Sequence, residues 1–191
     1  MKCDLCPRKC LVDRKKGEKG ICGQTENLKV ARAALHFWEE PCISGDAGSG
    51  AVFFSGCPLH CVFCQNENIA NGTVGKEISL ERLVDIFLEL QEKRANNINL
   101  VTPGHFVPQI VKALDQARKR ENEALRVIFE QAIQDGALKE IRFETYLFTL
   151  LAVSYFYYSN RLTLAHTLDV RLTSKEWGRR LCGDLNRIFS S

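Results

Sequence analysis

Ala51-Val-Phe-Phe54 is an unbroken apolar run stopped by Ser55-Gly56, the pattern of a strand buried on both faces. Upstream, Leu28 to Leu35 alternates more weakly and predicts another strand, with Gly45 to Gly50 as a glycine-rich turn between the two. That turn lacks the Lys-Ser/Thr pair of a phosphate-binding P-loop. Downstream the period changes. Leu80, Leu83, Val84, Ile86, Phe87 and Leu90 recur at helical spacing behind Ser79, an N-cap residue, and Asn96-Asn97 marks the stop. Ile98 to Thr102 predicts a short buried strand broken by Pro103-Gly104. Val107 to Arg120 predicts a helix with Ile110, Val111 and Leu114 on one face. Strand, helix, strand, helix in this order predicts βα units and a parallel sheet.

The remainder of the chain has helical period only. Leu125, Ile128, Phe129, Ala132 and Ile133 form a stripe that stops at Gly136. Glu144 to Tyr158 is apolar nearly all round, which predicts a central buried helix. A last helix opens at Ser174, with Trp177, Leu181, Leu185, Ile188 and Phe189 as its apolar stripe. The expected fold class is an α/β amino-terminal part followed by an all-α tail.

Composition narrows the function classes. The 191 residues are 45% hydrophobic and 26% charged, as in a soluble globular protein. A net charge of +3 gives no reason to expect nucleic acid. Arg8, Lys9, Arg14, Lys15, Lys16 and Lys19 crowd the start, offset by Asp4, Asp13 and Glu18, and read as a solvated loop. The longest apolar run, Tyr146 to Tyr158, falls short of the ~20 residues a spanning helix needs, and the start has no apolar leader. The expectation is a cytoplasmic chain with no membrane partner.

Nine cysteines cannot all pair within one chain, and without an export signal they point to metal ligation in a reducing compartment. Cys57-Pro-Leu-His-Cys61-Val-Phe-Cys64 places three of them at C-x3-C-x2-C spacing just after the predicted strand. Three thiolates leave one position open on a four-iron cluster, and an open position is where chemistry occurs. The other reading is a zinc knuckle completed by His60 or a remote residue. Cys3-Asp-Leu-Cys6-Pro-Arg-Lys-Cys10 and Cys22 form another set, with Gly17, Gly20 and Gly23 among them. Soft thiolates at this spacing suit zinc or a second iron–sulfur cluster, while unligated reduced thiols are the remaining reading.

The Cys57–Cys64 spacing, with Phe63 before its last cysteine, resembles the C-x3-C-x-aromatic-C signature of the radical S-adenosylmethionine (SAM) superfamily. The resemblance extends through His36-Phe-Trp-Glu-Glu-Pro-Cys42, Gly45 to Gly50, Cys64-Gln-Asn-Glu-Asn-Ile69, Asn97 to Pro103 and His105-Phe-Val-Pro-Gln109. These segments look like the branch related to pyruvate formate-lyase activating enzyme. The resemblance implies a 4Fe–4S cluster on Cys57, Cys61 and Cys64, with SAM chelating the fourth iron. It implies reductive cleavage of SAM to a 5′-deoxyadenosyl radical and abstraction of a hydrogen atom. It also implies Phe63 beside the adenine and Thr102 at the amino-acid end of SAM. An electron donor such as flavodoxin or ferredoxin, and a protein substrate, would be the partners. Many family members carry Gly-Gly-Glu where this chain has Val101-Thr102-Pro103-Gly104.

A complete βα barrel takes six to eight units, roughly 180 residues or more, and residues 51–118 supply about two. The expected domains are a cysteine-rich knuckle over 1–30, a partial radical SAM domain over 31–120 and a helical tail over 121–191. The tail bears a weaker likeness to the carboxy-terminal dimerisation domain of TetR-type regulators, which implies a homodimer. No helix-turn-helix pattern precedes it, so DNA binding is not expected. The alternative to an enzyme is a truncated or fused metal-binding interaction protein that has lost catalysis.

Overall fold

The computed structural model of the chain describes residues 2–168 and 175–190, with backbone alone at 158, 161–168, 175–177, 182 and 186. The chain divides into two compact units, residues 1–120 and 121–191. In the first, the strands are β1 (Lys29–His36), β2 (Ser49–Phe54), β3 (Lys76–Glu77) and β4 (Ile98–Val101). The helices are α1 (Pro41–Ser44), α2 (Glu67–Ala70), α3 (Leu80–Glu92) and α4 (Val107–Gln134), the last crossing the division.

β2 is buried almost throughout, as its continuous apolar run requires. The four strands lie in the order β3-β1-β2-β4 in an open sheet. β2 and β4 run parallel, with Ala51 opposite Asn99 and Phe53 opposite Val101. Their connection contains α3, long enough for a crossover. The parallel expectation fails for β1, which pairs antiparallel with both β2 and β3. Residues 37–48, which join β1 to β2, hold only one turn of helix and return the chain like a long hairpin.

Leu83, Val84, Ile86, Phe87 and Leu90 of α3 pack with Val30, Val52 and Phe54 of the sheet and with Phe106, Ile110 and Ala113. Each such large side chain contributes roughly 1.5–3 kcal/mol on full burial. The Ser79 hydroxyl caps α3 by accepting from the Arg82 N–H at 3.1 Å, worth about 1 kcal/mol. The apolar stripe of α4 is only partly its buried face. Ile110, Ala113 and Ala117 are buried, whereas Val111 and Leu114 are exposed. The alanines are small enough to bring the helix close to the core, and an apolar count overlooks them.

Residues 121–124 contain neither glycine nor proline, so α4 runs unbroken to Gln134 rather than ending at Arg120. The described elements of the second unit are the end of α4, α5 (Phe143–Leu168) and α6 (Lys175–Phe189). An aromatic cluster organises it: Phe129 lies 5.4 Å from Phe143, and Tyr146 lies 5.2 Å from Phe189. The α6 stripe therefore turns inward at Phe189, while Ile188 is exposed. The expected opening at Ser174 and the Trp177 side chain lie outside the described residues. α5 is not the buried helix expected, because Phe148, Leu151, Tyr155 and Phe156 are exposed. Among the described residues no helix is long and apolar enough to cross a membrane.

Candidate functional site

Because β2 and β4 are parallel, the loops after them leave the same end of the sheet, the usual place for a site in α/β folds. The loop after β2, residues 55–66, carries Cys57, Cys61 and Cys64 and leads into α2. The loop after β4 carries Thr102 and His105. The Thr102 hydroxyl donates to the Phe54 carbonyl at 2.8 Å, tying the two strand ends together. Thr102 has φ 54, a left-handed conformation that β-branched residues rarely hold, and such residues concentrate at functional positions.

Cys57 is 7% exposed, Cys64 half-buried and Cys61 exposed. The Leu59 N–H donates to Cys57 Sγ at 3.4 Å. Phe63 is 92% exposed, so it does not fill the core. Leu59 and Val62 are exposed beside it. His60 Nε2 lies 2.7 Å from the Ile21 carbonyl and must carry its proton there, so that nitrogen is not available as a metal ligand.

Among the described residues no three His, Cys, Asp or Glu side chains stand close enough to share one ion. A four-iron cluster is wider and needs its three thiolates around a perimeter rather than at a point. Three thiols on one loop, one of them buried at the end of a core strand, fit that donor set.

At the amino terminus the Cys3 N–H donates to the Val12 carbonyl, and the Leu11 N–H to the Cys3 carbonyl. This closes a narrow loop. A Cβ on Gly20 would lie 3.0 Å from Cys10 Sγ and 3.6 Å from Cys22 Sγ, so both sulfurs face that glycine. Burial pushes the Cys22 thiol up, against opposing pulls from Gln24 and the Arg14 cation. For Cys10, burial raises the thiol but contacts from Ile21, Val12 and Cys3 override it, and the net direction is down. Cys10 and Cys22 thus lie on either side of Gly20 and near Cys3, without the three standing close enough to share one ion, while Cys6 is half-buried near the turn it makes with Lys9.

Three polar residues near the loop are buried: His105, which lies in a segment carrying the resemblance; Arg14, whose basic run reads as a solvated loop in the sequence; and Gln24, which had no sequence signal. Arg14 donates from Nε to the Thr25 carbonyl at 3.0 Å and from Nη1 to the His105 carbonyl at 2.6 Å. Its guanidinium also lies 5.4 Å from the Phe106 ring centre. His105 Nε2 donates to the Ser55 carbonyl at 2.8 Å, which leaves Nδ1 buried without a partner.

Burial lowers the His105 pKa below its ordinary 6.5, against the raising effect of the Ser55 bond and with a further lowering from Arg14. The unfolded chain therefore binds this proton more readily than the folded one. Stability from neutral His105 is fully present above about pH 6.5 and declines as pH falls below it toward the folded pKa. Thermal midpoints of the parent should fall across that window. His105→Gln should flatten the slope, and an equal slope in both proteins would refute the assignment.

The family profile described as the radical SAM superfamily matches residues 51–150. The chain belongs to the radical SAM superfamily, which in general binds a 4Fe–4S cluster and S-adenosylmethionine. The match continues past residue 118, where the sequence pattern changes from βα to helical. An uncharacterized protein of Methanocaldococcus jannaschii is 36% identical over 76 residues, 40% of this chain and 21% of the relative. The chain thus spans about a fifth of the length of that curated relative. No solved structure matches the chain.

Proposed function

We propose that the chain is a radical SAM protein similar to pyruvate formate-lyase activating enzyme, with Cys57, Cys61 and Cys64 as ligands of the 4Fe–4S cluster. The observation that carries this reading is the cysteine loop, which leaves β2 beside the end of the parallel strand β4. When bound and reduced, the cluster supplies the electron that cleaves the SAM sulfonium and so starts hydrogen-atom abstraction. The protein's own part is positional. The Leu59 N–H holds Cys57 Sγ in place, and Cys57 is shielded while Cys61 is exposed and Cys64 half-buried. Phe63 offers a solvent-facing ring for an adenine. In place of a Gly-Gly-Glu segment, Thr102 or the backbone carbonyls near it would meet the amino-acid end of SAM. The Thr102 proton is given to Phe54, so its oxygen is left as an acceptor for an ammonium group.

Anaerobic reconstitution with iron and sulfide, reduction, and assay for 5′-deoxyadenosine tests the reading. Cleavage by the parent supports it, and a loaded cluster without cleavage favours the inactive interaction protein. The small open sheet, with one parallel pair among the described strands, is what favours that alternative. Phe63→Ala should retain the cluster and bind SAM about fivefold more weakly, on the order of 1 kcal/mol. Equal SAM affinity in variant and parent would remove Phe63 from the site.

Flavodoxin or ferredoxin as electron donor and a protein as substrate belong to the same proposal. So does a structural zinc or second cluster on Cys3, Cys6, Cys10 and Cys22, which metal analysis of the full chain with those cysteines replaced would test. A homodimer through the helical tail, as the likeness to TetR-type regulators implies, is supported by α5 rather than α6. Phe148, Leu151, Tyr155 and Phe156 are exposed at i, i+3, i+7 and i+8, one face of the helix. A monomeric parent by light scattering would reject it.

A further inference from the structure

The strand ladder of β2 ends at Phe54, so the Ser55 carbonyl that begins the cysteine loop needs a donor from elsewhere. His105 Nε2 is that donor. The His105 carbonyl is in turn held by Arg14, a cation 6% exposed whose remaining hydrogen bonds go to the Thr25 carbonyl. A buried guanidinium is expensive unless its donors are filled, and here they are filled by joining two loops.

Gln24 makes a second tie. A Cβ on Gly56 would fall on the Cys22 carbonyl oxygen and within 2.5 Å of Gln24 Cγ. A Cβ on Gly72 would fall on Gln24 Nε2. Gln24 is thus seated against the backbone on both sides of the segment that carries the three cysteines. Two outer contacts add to it: Arg8 Nε donates to the Pro58 carbonyl at 2.9 Å, and His60 Nε2 to the Ile21 carbonyl at 2.7 Å. Residues 55–60 are therefore held from residues 8–24 and from His105.

We infer that the amino-terminal segment braces the cysteine loop, with His105 as the positioning residue that carries the brace from Arg14 to Ser55. The inference rests on Cys57, Cys61 and Cys64 being the ligand set. Of these only Cys57 is buried, and its direction follows from the backbone of Ser55 and Gly56.

Alkylation of the reduced, metal-free full chain under anaerobic conditions tests the brace. Labelling of Cys57 is read by peptide mass spectrometry against exposed Cys42 in the same chain. Iron bound per chain after reconstitution is measured in parallel. His105→Leu should raise the Cys57 to Cys42 ratio about tenfold and reduce iron uptake, because the Ser55 carbonyl loses its donor. His105→Gln, whose amide can reach the same carbonyl, should return both toward the parent. Arg14→Met should shift the ratio in the same direction as His105→Leu. A cooperative melt above the labelling temperature certifies each variant as folded. If His105→Leu fails that criterion, Gln24→Ala takes its place with the same expected rise. Parent-like Cys57 labelling in the folded variant overturns the brace, as does a His105→Gln chain as reactive as His105→Leu. A parent that takes up no iron instead defeats the cluster reading, while the labelling ratio still decides the brace.

Discussion

Cys61→Ala, reconstituted anaerobically, is expected to lose nearly all of the cluster absorption and most of its bound iron. With one of three thiolates gone, an iron at the edge of the cluster has no protein ligand and the assembly falls apart. Cys61 is exposed, so its removal should shift stability by only about 0.5 kcal/mol. Loss of iron from a chain that melts like the parent would therefore report ligation rather than folding. Alanine at Cys57, Cys61 and Cys64 together should abolish the remainder. A full cluster signal in that triple variant would place the cluster elsewhere, with the amino-terminal cysteines the next set to examine.

Gly56→Ala should be the most damaging single substitution of a small residue at the site. Gly56 has φ 85, and a residue with a Cβ pays roughly 1–2 kcal/mol to hold a left-handed conformation. The added methyl also meets the Cys22 carbonyl and Gln24 Cγ, which are backbone and the buried base of a side chain rather than a flexible tip. Together these should cost about 3 kcal/mol and displace the loop at the residue before Cys57. The checks are the thermal midpoint and the iron bound after reconstitution. Gly104→Ala is the control: a Cβ there would meet nothing within 4 Å, and its stability should match the parent. If Gly56→Ala melts with the parent, the close approach of the amino-terminal segment to the loop is refuted.

The local elements of the first unit were readable because each carries its own signal. The apolar run of β2, the α3 stripe behind Ser79 and the strand ending at Pro103 are recorded in consecutive side chains. The cysteine loop was readable for the same reason, since its donors lie within eight positions. The errors came where no neighbouring residue decides. Val111 and Leu114 share an apolar stripe with Ile110 yet are exposed, because α4 turns its alanines to the core. The length of α4 was missed because a polar stretch at 121–124 looks like a linker although nothing in it stops a helix. α5 was expected to be buried because it is apolar all round, yet hydrophobicity does not supply the partner that would cover it.

The sequence by itself determined the three thiols, the aromatic residue beside them and the strand that presents them, since spacing along the chain sets all of these. Tertiary structure decided the direction of β1, which depends on what its connection can span. It also decided how the loop is held. Arg14, Gln24 and His105 are separated by up to 91 positions along the chain and carry no pattern as a set. His105 donates to the Ser55 carbonyl that the β2 ladder leaves unpaired, Arg14 donates to the His105 carbonyl, and Gln24 packs against Gly56 and Gly72; only the folded chain brings these groups within reach.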